Sequence, residues 1–227
     1  MFGKEFALGS KKAIPIAMGY FPLGLAFGVL ARETGLTLFE ATGMSFMVFA
    51  GAGQFIAIGF LKAGADILTI MITTFLVNSR LFLMSMVFQP KLKEWPRLKS
   101  GIIAAEITDE TFVVANDYYS SNEPSWPFHL GLNITSHLAW IASTALGAGV
   151  GNLVKNPESL GLNFALPAMF IALLVGQVKN KRKFMAAIVA GILSLLFKIF
   201  LTGNWNILLA TLIAATLGVT MEKWIKK

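Results

Sequence analysis

Eight apolar segments follow one another along this chain of 227 residues, with no soluble domain or long linker between them. A helix needs roughly 20 apolar residues to cross the hydrocarbon core of a bilayer. The sequence therefore predicts an all-α, polytopic membrane protein with seven or eight hydrophobic segments. The expected boundaries are 14–31, 38–62, 66–88, 101–117, 129–154, 160–178, 184–201 and 205–221.

The composition supports the membrane class. Hydrophobic residues make up 56% of the chain and charged residues 14%, whereas a soluble domain carries about 25% charged residues. So much apolar surface cannot be hidden in one core of this size, which argues against a soluble protein. The chain has no cysteine, which excludes disulfides and cysteine-based metal sites.

The net charge of +7 does not indicate a nucleic-acid partner, because the Lys and Arg residues gather between apolar segments. Such loops are held on the cytoplasmic side of a cell membrane. We expect a multi-pass membrane protein with both termini in the cytoplasm and loop 117–127, which lacks Lys and Arg, outside. The clusters are Lys4/Lys11/Lys12, Lys91/Lys93/Arg97/Lys99, Lys179/Lys181/Arg182/Lys183 and Lys223/Lys226/Lys227.

The number of crossings conflicts with this charge pattern. Three apolar segments separate the first and second basic clusters, and three more separate the second and third, so either the charge rule fails or one segment of each triplet is broken or re-entrant. The glycine-rich segments 38–62 and 128–154 are the expected exceptions. The two triplets suggest an internal repeat within one transmembrane domain, with halves 11–90 and 98–178 followed by a helical pair, 184–221.

Three acids lie in the apolar stretch 102–116, namely Glu106, Asp109 and Glu110. Each costs roughly 2.5–3.5 kcal/mol at mid-membrane. Spaced i, i+3 and i+4, they would share one face of a continuous helix. We expect a site for a cation, a proton or a substrate ammonium group, with a structural ion pair as the alternative, above all for Glu106.

The expected counter-charge is Arg80, which follows Asn78 near the centre of the third segment. One Arg cannot neutralise three carboxylates. Either some acids are protonated, or another cation completes the balance, and both suit coupled transport. The alternative is that Arg80 forms a structural clamp between helices with Asp109 or Glu110.

Residues 49–55 supply a third element. Gly51 and Gly53 permit an unwound backbone, whose freed N–H groups could bind a substrate carboxylate at a helix start. Gln54 adds a neutral donor and acceptor. The alternative is close packing of a straight helix. The aromatic residues that could line an apolar pocket are Phe49, Phe55 and Phe112.

Sequence motifs of enzymes are missing. The chain has no HExxH, GxSxG, Walker or GxGxxG motif, so no catalytic residues, cofactor or metal site is predicted. Asn133 and His137 lie four residues apart, and an isolated His in an apolar run is more often a hydrogen-bonded core residue than a ligand. Transport, channel or assembly roles remain.

Five motifs, in order, resemble the AzlC family, the large subunits of bacterial branched-chain amino acid exporters. They are PLGLAFGVLARETGL, FAGAGQF, LVNSRLFLMSM, ITDETF and LGLNFALPAMFIALLV. The resemblance extends from Lys11 to Met221. One departure is Leu81, where the family often has His after the Asn-x-Arg triplet.

The resemblance implies an inner-membrane permease that expels valine, leucine, isoleucine and, as a further candidate, methionine. It also implies a partner, a small hydrophobic subunit of the AzlD type. The residues suggest an amino acid substrate bound by Gly51, Gly53, Gln54, Asn78 and Arg80 together with Asp109 and Glu110, while Glu106, Asp109 and Glu110 are candidates for proton coupling. The alternatives are an ion channel and a non-transporting membrane subunit.

Overall fold

The computed structural model describes residues 2–154 and 181–200 continuously, together with residues 159, 161–165, 167, 168, 171, 174, 175, 178, 213 and 216. Within these residues the regular secondary structure is helical. The longer helices are α1 (Phe2–Glu33), α2 (Leu38–Met47), α3 (Gly51–Lys62), α4 (Ile67–Phe88), α5 (Arg97–Ala105), α6 (Asp109–Ser121), α7 (Trp126–Val150) and α8 (Lys181–Phe200). Single 3-10 turns occupy Gly151–Leu153 and Leu162–Phe164.

The chain divides into two compact units, Met1–Pro167 and Ala168–Lys227. In the described part of the chain, helices α1 and α4 are long and apolar enough to cross a membrane. At 1.5 Å per residue they extend about 48 Å and about 33 Å. In the second unit, Phe184–Phe200 is a shorter apolar helix. The predicted class, an all-α polytopic membrane protein, is confirmed.

Helices α1 and α7 run parallel and pack closely along their length. Gly9 of α1 lies against the backbone of Phe128, and further along Gly147 of α7 lies against the backbone of Leu25. A methyl group at either glycine would overlap the facing carbonyl oxygen, so these positions need glycine. The two helices therefore begin at the same end and form the frame on which α2, α3, α5 and α6 pack.

The first glycine-rich segment forms a re-entrant hairpin of α2 and α3. Helix α2 begins beside the end of α1, where Arg32 Nη1 donates to the carbonyl oxygen of Leu36 at 2.8 Å. Helix α3 ends at the same place, since Lys62 Nζ lies 2.8 Å from Oε1 of Glu33. The chain reverses between the two helices at residues 48–50. The prediction of a broken or re-entrant segment at 38–62 is thus confirmed.

A second re-entrant hairpin, of α5 and α6, enters from the opposite end. Helix α5 begins beside the start of α7, where Lys99 Nζ lies 5.5 Å from the ring centroid of Trp126. Helix α6 returns there, and the ring of Tyr118 stacks on that of Phe128 with centroids 3.7 Å apart. The chain reverses at residues 106–108. With 9 and 13 residues, α5 and α6 are each too short to cross a bilayer.

The second exception to the crossing count was therefore assigned to the wrong segment. Residues 128–154 are not broken in the middle, because α7 continues to Val150 and its Gly147 serves close packing on α1. The break lies instead in the segment predicted as a plain span, 101–117. One re-entrant hairpin between the first two basic clusters makes their number of full crossings even, as the charge pattern requires.

Residues 89–99 and 122–126 lie at the end where α1 and α7 begin, called the basic end below. Trp95 and Trp126 are in ring contact there, with centroids 5.9 Å apart, and Tyr118 Oη lies 3.4 Å from Oε2 of Glu5. A cytoplasmic N-terminus and an outside loop at 117–127 therefore exclude each other.

Some predictions lie outside the described residues. These are the last apolar segment, 205–221, apart from residues 213 and 216, the basic cluster at 223–227, and much of 160–178. The repeat halves 11–90 and 98–178 stay a prediction.

Candidate site between the two hairpin tips

The tips of the two hairpins meet at the middle of α1 and α7. From the first tip, the ring of Phe49 stacks on that of His137, with centroids 4.3 Å apart, and meets the edge of Tyr20 at 5.9 Å. From the second tip, Glu106 contacts His137 and Thr108 contacts Tyr20. Two side chains of the α1–α7 frame thus touch both tips.

His137 is in hydrogen-bond contact with Glu106. The Nε2 atom of His137 lies 2.9 Å from the carbonyl oxygen of Ser45, and Nδ1 lies 2.9 Å from Oε2 of Glu106. Both ring nitrogens face oxygen atoms, so each hydrogen bond requires one proton between the ring nitrogen and the oxygen. The pair is either an imidazolium with a carboxylate or a neutral imidazole with a carboxylic acid. This arrangement can hold one proton midway along the α1–α7 frame.

Tyr20 connects α1 to the start of α6. Its hydroxyl lies 2.7 Å from Oε2 of Glu110 and 2.7 Å from Oγ1 of Thr108. Thr108 is the N-cap of α6, and its Oγ1 accepts from the backbone N–H of Thr111. Asp109 and Glu110 occupy the first turn, where the helix dipole favours negative charge. The helix cap and Tyr20 together fix the position of the Glu110 carboxyl group.

Arg80 of α4 and Asp109 of α6 form a bidentate ion pair. The Nη1–Oδ1 and Nη2–Oδ2 distances are 3.0 Å and 2.9 Å. The Asp109 side chain is 7% exposed and that of Arg80 is 29% exposed. Parallel hydrogen bonds between two planar groups make this the strongest type of side-chain ion pair. The predicted counter-charge is therefore in contact with one of the three acids.

The three acids do not share one helix face, so that prediction is wrong. The chain breaks between Glu106, which caps α5, and Asp109, which begins α6. Each acid consequently has its own partner: Glu106 contacts His137, Asp109 contacts Arg80, and Glu110 contacts Tyr20. The second tip holds three separately supported carboxyl groups.

The first tip presents backbone N–H groups. Helix α3 begins at Gly51, and its N-cap, Ala50, makes no side-chain hydrogen bond to the helix. The first turn of any α-helix has N–H groups without acceptors inside the helix. Gly53 lies against the amide of Asn78, where an added Cβ would stand 2.5 Å from Nδ2. The structure thus brings two predicted site residues of α3 and α4 together.

Gln54 holds the first hairpin on α7. The indole Nε1 of Trp140 donates to Oε1 of Gln54 at 2.8 Å, and because an indole only donates, it orients the amide. The amide nitrogen then donates to Oγ of Ser45 at 2.9 Å, which lies 2.9 Å from Oγ1 of Thr144. All four side chains are buried. Gln54 lies one turn beyond the tip and already has two protein partners.

The three aromatic residues suggested for a pocket lie in different places. Phe49 is at the tip, whereas Phe55 packs on Phe27 and Phe112 packs on Phe88, with centroids 5.5 Å and 5.1 Å apart. Sequence reasoning missed Tyr20 and underrated His137. An isolated polar ring in an apolar segment was the available signal, but its partners are distant in sequence.

Comparisons with known proteins identify the family. The family model described as AzlC protein matches residues 15–154. The branched-chain amino acid transport protein AzlC of Bacillus subtilis is 32% identical over 91% of this chain and 80% of its own length. An uncharacterized membrane protein of Archaeoglobus fulgidus is 34% identical over 96% of this chain and 94% of its own length.

The inner membrane protein YgaZ of Escherichia coli is 29% identical over 78% of this chain and 75% of its own length. No solved structure matches the chain significantly. The matched family is associated with membrane transport and is not a family of enzymes. This chain belongs to the AzlC family.

Proposed function

We propose that this chain is the large subunit of a secondary transporter that exports branched-chain amino acids, coupled to a proton gradient or the membrane potential. The substrates would be valine, leucine, isoleucine and methionine. The name of the Bacillus subtilis relative supports the substrate class. The observation that carries the proposal is that a tip with backbone N–H groups and a tip with three carboxyl groups both contact Tyr20 and His137.

An amino acid zwitterion needs a site for its carboxylate and a site for its ammonium group. The start of α3 offers N–H groups at Gly51 and Gly53 for the carboxylate, with Asn78 beside them. The second tip offers Asp109 and Glu110 for the ammonium group. Arg80 supplies one positive charge against three carboxyl groups, and His137 supplies a second only when protonated. An ammonium group or a proton completes the balance.

Coupling would follow from the proton on the Glu106–His137 pair. His137 contacts both tips, and the loss of that proton would break its hydrogen bond to Glu106 of the second hairpin, while Nε2 would keep the proton that it donates to Ser45. Small re-entrant hairpins are suited to movement, because each ends in a short unwound tip rather than in a full crossing. The frame of α1 and α7 would stay in place.

The proposed setting is the inner membrane, with both chain termini and the basic end in the cytoplasm, as the positive-inside rule favours. The proposed partner is a small hydrophobic subunit of the AzlD type. Helix α4 offers a surface for that subunit or for lipid, since several of its large apolar side chains are exposed. They include Met71, Phe75, Phe82 and Met86.

Counterflow of labelled leucine into vesicles tests the proposal. The full chain, expressed with and without the small subunit, is expected to exchange external labelled leucine for internal unlabelled leucine in a saturable manner. Conductance without exchange would instead identify an ion channel. Neither exchange nor conductance in the presence of the small subunit would identify a non-transporting subunit.

Cysteine labelling tests the orientation, and the cysteine-free chain gives no background. Lys93→Cys and Asn122→Cys, both at the basic end, are expected to be shielded from a membrane-impermeant thiol reagent added outside. The control is Ala63→Cys, in the exposed turn at the opposite end, which should react. The reverse pattern would place the basic end outside.

A further inference from the structure

The buried face of α7 carries three polar side chains at four-residue intervals, His129, Asn133 and His137. Residues spaced in this way share one helix face, and each step rises about 6 Å along the axis. His129 and Asn133 are 0% and 1% exposed. The stripe begins in the first turn of α7, at the basic end, and leads to the Glu106–His137 pair.

Two of these side chains have polar atoms without partners. Within the described part of the chain, Nε2 of His129 and both amide atoms of Asn133 make no hydrogen bond. The other ring nitrogen of His129 lies 2.9 Å from Oη of Tyr119. By contrast, Ser136 and Thr144, equally buried on α7, each have a protein partner. Buried polar atoms of this kind are ordinarily satisfied by ordered water.

The surroundings would confine such water. Helix α4 contributes the ring of Phe88, whose centroid lies 5.4 Å from that of His129, and α6 contributes Tyr119. Helix α1 packs on the neighbouring face of α7 at Leu132, which is fully buried. The described contacts bring one charged partner to the stripe, Glu106, which contacts His137. A space with aromatic rings on one side and the polar side chains of α7 on the other would suit a single file of water molecules.

We propose that His129 and Asn133 bind a file of ordered water molecules that carries protons between the basic end and the Glu106–His137 pair. The inference rests on the proposed function. Each water accepts one proton and passes one on, while the Asn133 amide orients the water without titrating. Only the Glu106–His137 pair changes its net charge, by one unit for each proton that it binds or releases.

Silver accessibility tests the water file independently of transport. Ag⁺ is small enough to enter a file of water and reacts with thiols, and the chain has no other cysteine. In the full chain in membranes, Asn133→Cys is expected to react with Ag⁺ and so to escape later labelling by a maleimide after denaturation. Leu132→Cys, equally buried but on the α1 side, is the control and should stay unreacted. If neither thiol reacts with Ag⁺, or if both react equally, the inference is wrong.

Transport measurements then test the proton route. Asn133→Leu replaces the water-binding amide by an apolar group of the same branched shape, so it should retain leucine counterflow and lose uphill transport driven by a pH gradient. Ser136→Ala, which removes a hydroxyl already bonded within the helix, should retain both. If Asn133→Leu keeps wild-type uphill transport, the inference is wrong. If the wild type shows no leucine counterflow, the proposed function fails, and silver accessibility alone decides the water file.

Discussion

The two re-entrant hairpins have similar form and opposite chemistry. The tip of α2 and α3 is neutral, and α3 begins there without a side-chain cap. The tip of α5 and α6 carries three acids, and Thr108 caps α6. The first hairpin is fixed to α7 mainly by neutral hydrogen bonds, and His137 adds a contact to the carbonyl oxygen of Ser45, whereas the second is fixed by ionisable groups from three helices.

This difference suggests a division of work between the hairpins. Neutral hydrogen bonds such as those of Gln54 do not depend on protonation or on a bound charge. The contacts of Glu106 and Glu110 do, because a proton or an ammonium group changes the charge on the acid. We therefore expect the second hairpin to respond to the coupling ion, and the first to supply a fixed site for the substrate carboxylate.

The largest effect is expected from Asp109→Asn. The neutral amide cannot balance Arg80, and removing one partner of a fully buried ion pair costs about 3–5 kcal/mol, which is an upper bound for this partly buried pair. Leucine counterflow should be abolished while the protein still inserts in the membrane. If the double variant with Arg80→Gln regains transport, the pair is a structural clamp and Asp109 is not a binding residue.

Gly53→Ala should have the next largest effect and probes the first hairpin. Its Cβ would stand 2.5 Å from Nδ2 of Asn78, so either the Asn78 amide must leave its position or α3 and α4 must separate. Overpacking of this kind costs about 1–3 kcal/mol, and leucine affinity should fall by roughly tenfold or more. Gly59→Ala on the same helix has no atom within 4 Å of the new Cβ and is the matched control. Equal behaviour of the two variants in thermal unfolding and counterflow would show that the close contact between Gly53 and Asn78 affects neither stability nor leucine binding.

Tyr20→Phe should have a smaller effect, directed at the second hairpin. The variant keeps the ring contacts to Phe49 and Trp140 and loses the hydroxyl beside Glu110. A typical hydrogen bond contributes about 0.5–1.5 kcal/mol, so leucine affinity should change by up to about tenfold. Tyr118→Phe, whose hydroxyl lies 3.4 Å from Glu5 at the basic end, is the control. An unchanged leucine affinity in Tyr20→Phe would separate Glu110 from the substrate site.

A pair of isosteric changes should give the smallest effects and compares the hairpins directly. Thr108→Val removes the cap of α6 and should lower stability by about 1 kcal/mol. Thr42→Val, in α2, removes a buried hydroxyl that has no hydrogen-bond partner among the described residues, so stability should stay the same or rise. Thermal unfolding in detergent measures both. A larger loss of stability from Thr42→Val than from Thr108→Val would contradict this expectation.

The sequence was sufficient to predict the membrane class and the first hairpin. Gly51 and Gly53 lie in a segment too long and too glycine-rich for a plain span, and the basic clusters required an even number of crossings. The second hairpin was misplaced because glycine has two uses in membrane helices. Gly147 serves close packing on α1, and its sequence context does not distinguish this use from a break.

The break at residues 106–108 did have a local signal. Thr108 followed by Asp109 and Glu110 is the pattern of an N-cap and an acidic first turn, which predicts a helix start rather than a helix interior. The partners of the acids could not be found in this way. Tyr20 lies 90 residues from Glu110, and only the tertiary fold brings them together.

The contacts of α2 and α3 with α7 also have a consequence for synthesis of the protein. Ser45 and Thr144 lie 99 residues apart, and Gln54 lies 86 residues from Trp140. While the chain is being made, these buried polar side chains of the first hairpin are complete before the helix that satisfies them has left the ribosome. The hairpin must therefore wait near the insertion machinery or at the membrane surface, and a chain that terminates before α7 should be recognised and degraded as incomplete.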